Sequence, residues 1–197
     1  FEPKPMELVF ATNNPHKLTE IRQLLKERFV VKSLADIGYF EEIPEDYHSL
    51  EENASQKAWT IYNRYGIDCF ADDTGLEVEA LGGEPGVFSA RYAGPGNNAD
   101  DNIAKLLSRL AEIKNRKARF RTVISLVAEG KEWLFEGIVE GTILTEKWGN
   151  NGFGYDPVFC PAGFTSSFAE MDLDTKNKIS HRGRAFEKLV SYLMTRR

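Results

Sequence analysis

Apolar residues recur along the chain at two periods, and the change from one to the other marks out the elements. Met6 to Ala11 is a short apolar run that predicts a buried strand. Thr12-Asn13-Asn14-Pro15 follows as a turn that can open a helix with proline in its first turn. Leu18, Ile21 and Leu25 then share one helical face, and Phe29 to Leu34 reads as a second strand. Ala35 to Ser49 is an acidic, irregular connection. Helical spacing resumes from Leu50 to Tyr62 through Leu50, Ala54, Ala58 and Ile61, and Gly66 closes that helix. Ile67 to Asp73 predicts a strand that delivers two carboxylates to its end. Leu76, Val78 and Ala80, alternating with Glu77 and Glu79, predict a half-exposed strand after it. Leu81 to Gly96 is a Gly- and Pro-rich loop. From about Ala99, Ile103, Leu106, Leu107 and Leu110 form a core stripe. Ala118 to Glu129 and Lys131 to Ile143 predict an antiparallel hairpin, Gly149 to Pro157 a loop, and Ser180 the N-cap of a last helix that buries Phe186, Leu189, Val190 and Leu193.

The length of 197 residues suits one domain with a core that needs no staples, and Phe1 to Pro5 reads as a short tail ahead of the first strand. No stretch is apolar enough to span a bilayer, and the N-terminal segment does not read as a signal peptide, so the expected compartment is the cytoplasm and no membrane partner is expected. Cys69 and Cys160 lie in apolar runs without metal-like spacing and are expected to be buried thiols. A net charge of −5 argues against a broad basic face for nucleic acid. A polyphosphate ligand would then be held locally, by a few cations and a metal.

Candidate chemistry begins at Asp72-Asp73-Thr74-Gly75. Adjacent aspartates resist burial unless something positive lies beside them, so they mark either a solvated turn or a cation site, and carboxylates without His or Cys neighbours suit Mg2+. The Thr12 to Lys17 turn is either a plain helix cap or a phosphate site at a helix N-terminus, and it lacks the glycines of a Walker loop. Asn53 and Lys57 are four apart and share a helical face. Phe153 among glycines is either a core ring beside a turn or a platform on which a flat ligand stacks. His181 and Arg182 open the last helix at the end where cations are disfavoured unless solvent or an anion faces them, and Lys176 and Lys178 add to that charge.

Taken together, these segments resemble the inosine triphosphate pyrophosphatase, or Ham1-like, family from about Met6 to Leu193. The resemblance is carried by Ala11 to Lys17 with Glu20, Glu52-Asn53-Ala54 with Lys57-Ala58, and Ala71 to Leu76. Further on it is carried by Gly82-Gly83 with Pro85-Gly86-Val87 and Ser89 to Tyr92, Gly152 to Pro157, and Ser180-His181-Arg182 with Ala185. It implies an α/β fold with a long central mixed β-sheet flanked by helices, two lobes with an active-site cleft between them, and a homodimer. The implied reaction is Mg2+-dependent hydrolysis of ITP, dITP and XTP to the monophosphate and pyrophosphate, which clears deaminated purines.

By matching position, Thr12, Asn13, Asn14, Pro15, His16 and Lys17 would hold the polyphosphate, with Asn53 and Lys57 reaching the same group. Asp73 would bind Mg2+ and activate water; Glu45 would be the second metal ligand, with Glu42 its rival, and Asp72 would support the outer shell. Thr74 stands where serine is commoner in the family. Phe153 would stack on the purine, with Gly154, Tyr155, Asp156, Lys176, His181 and Arg182 completing the base and phosphate contacts. Donors facing a 6-keto oxygen would reject ATP, and rejection of GTP, which keeps that oxygen, calls on a separate feature. Two other readings compete: a Maf-like pyrophosphatase of modified pyrimidine nucleotides, and a nucleotide-binding sensor without catalysis.

Overall fold

The computed structural model describes residues 5–25 and 28–196; the first four residues of the expected tail lie outside them. The elements run β1 (Met6–Phe10), α1 (Pro15–Leu25), β2 (Phe29–Lys32), α2 (Leu50–Tyr65), β3 (Cys69–Val78), β4 (Pro85–Gly86), α3 (Ala99–Arg109), β5 (Lys117–Ala128), β6 (Lys131–Ile143), β7 (Phe159–Pro161), α4 (Leu173–Ile179) and α5 (His181–Thr195), with short 3-10 turns between them. The strands follow the order β2-β1-β3-β5-β6-β7, and β4 pairs with β3. The sheet is mixed: β1 is parallel to β2 and β3, whereas β4 is antiparallel to β3 and β7 to β6. The tight link between β5 and β6 has positive φ at both Glu129 (51°) and Gly130 (73°), the dihedrals that suit a two-residue hairpin turn.

The chain divides into two compact units, one of Phe1–Asp73, Val123–Glu136 and Ala185–Arg197, the other of Thr74–Thr122 and Gly137–Arg184. In the first, β1 and the opening of β3 are apolar on both faces, as parallel strands covered by helices must be. Leu8, Phe10 and Phe70 enter one cluster with Ile21 of α1 and Phe186 of α5, where the Phe10 and Phe70 rings stack at 4.6 Å. Val9, Ala11, Cys69 and Ala71 turn the other way, toward Ala58 and Ile61 of α2. In the second unit, Leu76 and Val78 of β3, Ile103 and Leu106 of α3, Phe120 of β5, Phe159 and Phe168 form the core.

Two expectations are corrected: Cys69 is a buried thiol as expected but Cys160 is only partly buried, and the strand carrying the aspartates runs on past them. Asp72 and Asp73 do not end a strand; β3 continues through them to Val78. Its partners change along its length, from β1 at Cys69 and Phe70 to β4 at Leu76 and Glu77, and the carboxylates lie between those two stretches. The strand can carry them because protein cations and an amide meet them there.

Candidate active site

The alternation of β3 decides where its two aspartates point. Asp72 follows Phe70 toward the side of α1, and its Oδ1 lies 3.1 Å from Lys17 Nζ. Asp73 follows Ala71 toward α2, where Asn53 Nδ2 donates to its Oδ2 at 3.2 Å. Both carboxylates are buried, as are Asn53 and Lys57. Lys57 Nζ donates to Glu45 Oε1 at 2.6 Å, so the acidic connection ahead of α2 brings Glu45 into the cluster. Glu42 is exposed and contributes its carbonyl, which accepts from the Tyr39 hydroxyl at 3.3 Å.

These groups hold one another's charge. Burial pushes the Asp73 carboxyl up to about 6, a rise opposed by Lys57 and Lys17 and reinforced by Glu45 and Asp72. Burial works against the Lys57 ammonium, yet Asp73, Glu45 and Asp72 hold it above the ordinary range. Burial also works against the Glu45 carboxylate, and Lys57 outweighs it and keeps the group below the ordinary range. A carboxyl that ionises reluctantly among other carboxylates is a place where an added cation is favoured. Among the described residues no three His, Cys, Asp or Glu side chains converge as a metal cluster. Mg2+ requires no such cluster: it keeps waters and takes one or two carboxylates with substrate phosphates, and the hard oxygens of Asp73 and Glu45 fit that demand.

The turn before α1 is built from its own side chains. Asn14 Oδ1 accepts from the N–H groups of His16 (2.9 Å) and Lys17 (3.2 Å) and so caps the helix, while Thr12 Oγ1 accepts from the Asn14 N–H at 3.1 Å. Asn13 reaches out instead, its Nδ2 donating to the Glu41 carbonyl at 3.2 Å and its Oδ1 accepting from the Ile43 N–H at 2.9 Å. Pro15 and His16 are exposed on the first turn. Asn53 also serves the connection: its Oδ1 accepts from the Tyr47 N–H at 2.9 Å and its Nδ2 donates to the Tyr47 carbonyl at 3.2 Å. Its amide therefore ties the segment before α2 to Asp73.

In the second unit, a second constellation surrounds the half-buried ring of Phe153. Lys176 Nζ lies 4.9 Å and Arg182 Cζ 5.4 Å from the ring centroid, within cation–π range. Asp156 Oδ2 accepts from Lys176 Nζ at 2.6 Å and from the Phe153 N–H at 3.0 Å, which fixes the loop and the lysine together. Gly154 follows the ring with a positive φ of 60°. Tyr155 points inward, its hydroxyl donating to the Ser89 carbonyl at 2.6 Å and its phenol pushed up by burial; it anchors the loop. Ser180 caps α5 by accepting from the Gly183 N–H at 3.0 Å. His181 then stacks on Phe120 at 4.6 Å, and Arg182 Nη2 donates to Thr74 Oγ1 at 3.2 Å. Thr74 Oγ1 is also 2.8 Å from Thr122 Oγ1. Thr122 was not among the residues the motifs pointed to; its signal in the sequence is a hydroxyl on the strand face that carries Ala118 and Phe120.

A model of the Ham1 family matches residues 8–192. A dITP/XTP pyrophosphatase of Flavobacterium johnsoniae is 54% identical over 188 residues, which cover 95% of this chain and 98% of that protein. One from Porphyromonas gingivalis is 54% identical over 189 residues, 95% of this chain and 97% of the relative. The structure of the Staphylococcus aureus Ham1 protein superposes with a TM-score of 0.87 at 35% identity, covering 97% of this chain and all of that one. A HAM1 protein from Coxiella burnetii gives 0.87 at 36% identity, with 96% and 99% covered.

Proposed function

The chain belongs to the Ham1 family, and from that premise we propose that it hydrolyses ITP, dITP and XTP between the α- and β-phosphates, releasing the monophosphate and pyrophosphate in a reaction that depends on Mg2+. The observation that carries this reading is the charged cluster that β3, α1, α2 and the connection ahead of α2 bring together. Asp73 lies there with Asp72 and Glu45 against the ammonium groups of Lys17 and Lys57.

Each residue then has a task. Asp73 accepts a proton from the attacking water, the general-base task that the family resemblance implies for it. Asn53, by donating to Asp73 Oδ2, fixes which lone pairs of that carboxylate face the water. Asp73 and Glu45 hold Mg2+, and Asp72 keeps Lys17 aimed at the polyphosphate. The ion, when bound, neutralises charge on the phosphate oxygens. Lys17 and Lys57 meet what charge remains, and the first turn of α1, with Thr12 to His16, receives the outer phosphates through its helix dipole.

Phe153 offers its ring to the purine, with Gly154 allowing close approach of the backbone. Lys176, His181 and Arg182 supply donors toward the 6-keto oxygen. An adenine 6-amino group would meet those donors with hydrogens of its own, and buried donors left without acceptors give strong rejection. Assembly as a homodimer and residence in the cytoplasm complete the reading.

A panel of nucleoside triphosphates assayed with Mg2+ for pyrophosphate release tests it. ITP, dITP and XTP are expected to exceed ATP in kcat/KM by about 10²-fold or more. Faster turnover of methylated pyrimidine nucleotides, or binding of ITP without turnover, would overturn the assignment.

A further inference from the structure

Strand β5 holds a residue whose chemistry does not match its surroundings. Ala118, Phe120 and Thr122 turn the same way by the two-residue period of a strand. The first two enter the apolar core of the second unit, yet Thr122 is a hydroxyl with 0% exposure. Valine has the same shape, an equal preference for strands and no polar atom to desolvate, so a threonine here is a cost unless its hydroxyl is used. It is used on Thr74, at 2.8 Å between the Oγ1 atoms. Thr74 Oγ1 also accepts from Arg182 Nη2 at 3.2 Å; a guanidinium only donates, so the direction of this bond is fixed.

We propose that Thr122 is a positioning residue for base recognition, acting through Thr74 to set the orientation of the Arg182 guanidinium. This rests on the assignment of Arg182 to the purine given above. A threonine has several staggered wells for its hydroxyl. The contact with Thr122 holds Thr74 in the well where its oxygen meets Arg182. Arg182 is 2% exposed and lies against Phe153, so the guanidinium is steered by Thr74 on one side and by the ring on another. Without the Thr122 hydroxyl, Thr74 loses this restraint and the guanidinium is held less firmly in its orientation. Directional donors are what separate a keto oxygen from an amino group, so the loss falls on discrimination before it falls on folding.

The test compares kcat/KM for ITP and ATP in Thr122→Val, Thr122→Ala, Thr122→Ser and Arg182→Ala, with the melting temperature of each. Removing the hydroxyl is expected to lower the ITP-to-ATP ratio about five- to tenfold, mainly through KM for ITP, in whichever of Thr122→Val and Thr122→Ala folds as the wild type does. Thr122→Ser keeps the hydroxyl and is expected to keep the ratio. An unchanged ratio in the hydroxyl-free variants while Arg182→Ala lowers it would overturn the role of Thr122 and leave that of Arg182 standing. Equal losses in Thr122→Ser and Thr122→Val would show a packing effect and would also overturn it. A ratio unmoved by Arg182→Ala would remove the assignment of Arg182 to the base, and the role of Thr122 with it.

Discussion

Asp73 is the residue on which the proposed chemistry turns, and its environment yields two expectations. Asp73→Asn keeps the shape and the contact with Asn53 but removes the base and a metal ligand. Turnover of ITP is expected to fall about 10²–10⁴-fold, with nucleotide binding, read by calorimetry in EDTA, little changed; a kcat near wild type would refute the role. The second expectation concerns stability. The ordinary value for the carboxyl is 3.8, and burial pushes it up to about 6. An acid with a higher folded pKa binds its proton more tightly when folded. Its contribution is therefore fully present below about pH 4 and is lost as pH rises through about 6. In metal-free protein the melting temperature of Asp73→Asn, relative to wild type, is expected to be higher at about pH 7.5 than at about pH 4, at about 2–4 °C per kcal/mol. A difference that is the same at both pH values would contradict the burial of an ionised Asp73. That Asp73, Lys17 and Lys57 belong together was readable only through the family resemblance, because taken singly the aspartate pair also fits a solvated turn and the lysines a helix cap or a helix face; the fold brings the three into one cluster. The partners of Asn13 and Asn53 were not legible. Both amides bond to the segment from Glu41 to Tyr47, whose path has no periodicity from which it could be read.

At the scale of elements, α1, α2, α3 and α5 were legible from their apolar stripes, and the β5–β6 hairpin from its turn. Helix α4 was not: its seven residues are too few for a 3.6-residue period to repeat, and it forms because Asp172 caps it by accepting from the Thr175 N–H at 2.7 Å and Lys176 pairs with buried Asp156. Strand β7 is three residues long and carries no alternation of its own. The continuity of β3 was hidden because Asp72 and Asp73 read as a break, and only the positions of Lys17 and Asn53 make them compatible with a strand. The junction of α4 and α5 sets the place of Lys176, His181 and Arg182 and depends on Gly183, where a Cβ would run into the Asn177 carbonyl. Gly183→Ala is expected to destabilise the fold by about 1–3 kcal/mol in urea unfolding and to raise KM for ITP. A variant as stable as wild type would mean that the two helices separate without cost.

At the scale of the whole molecule, family and fold were legible because the motifs recur in order along nearly the full length, and the mixed sheet with flanking helices follows. No helix among the described residues is long and apolar enough to cross a membrane. The homodimer is an expectation from the family resemblance, checked by light scattering: a mass twice that of one chain at micromolar concentration is expected, and a fully active monomer would contradict it. The proposed function stands most directly on which bond is cleaved and whether Mg2+ is needed. Phosphorus NMR of ITP incubated with the protein reads both at once. With Mg2+, IMP and pyrophosphate are expected to appear in equal amounts, and with EDTA the triphosphate is expected to persist. Formation of IDP and orthophosphate, or equal turnover in EDTA, would contradict the proposed reaction.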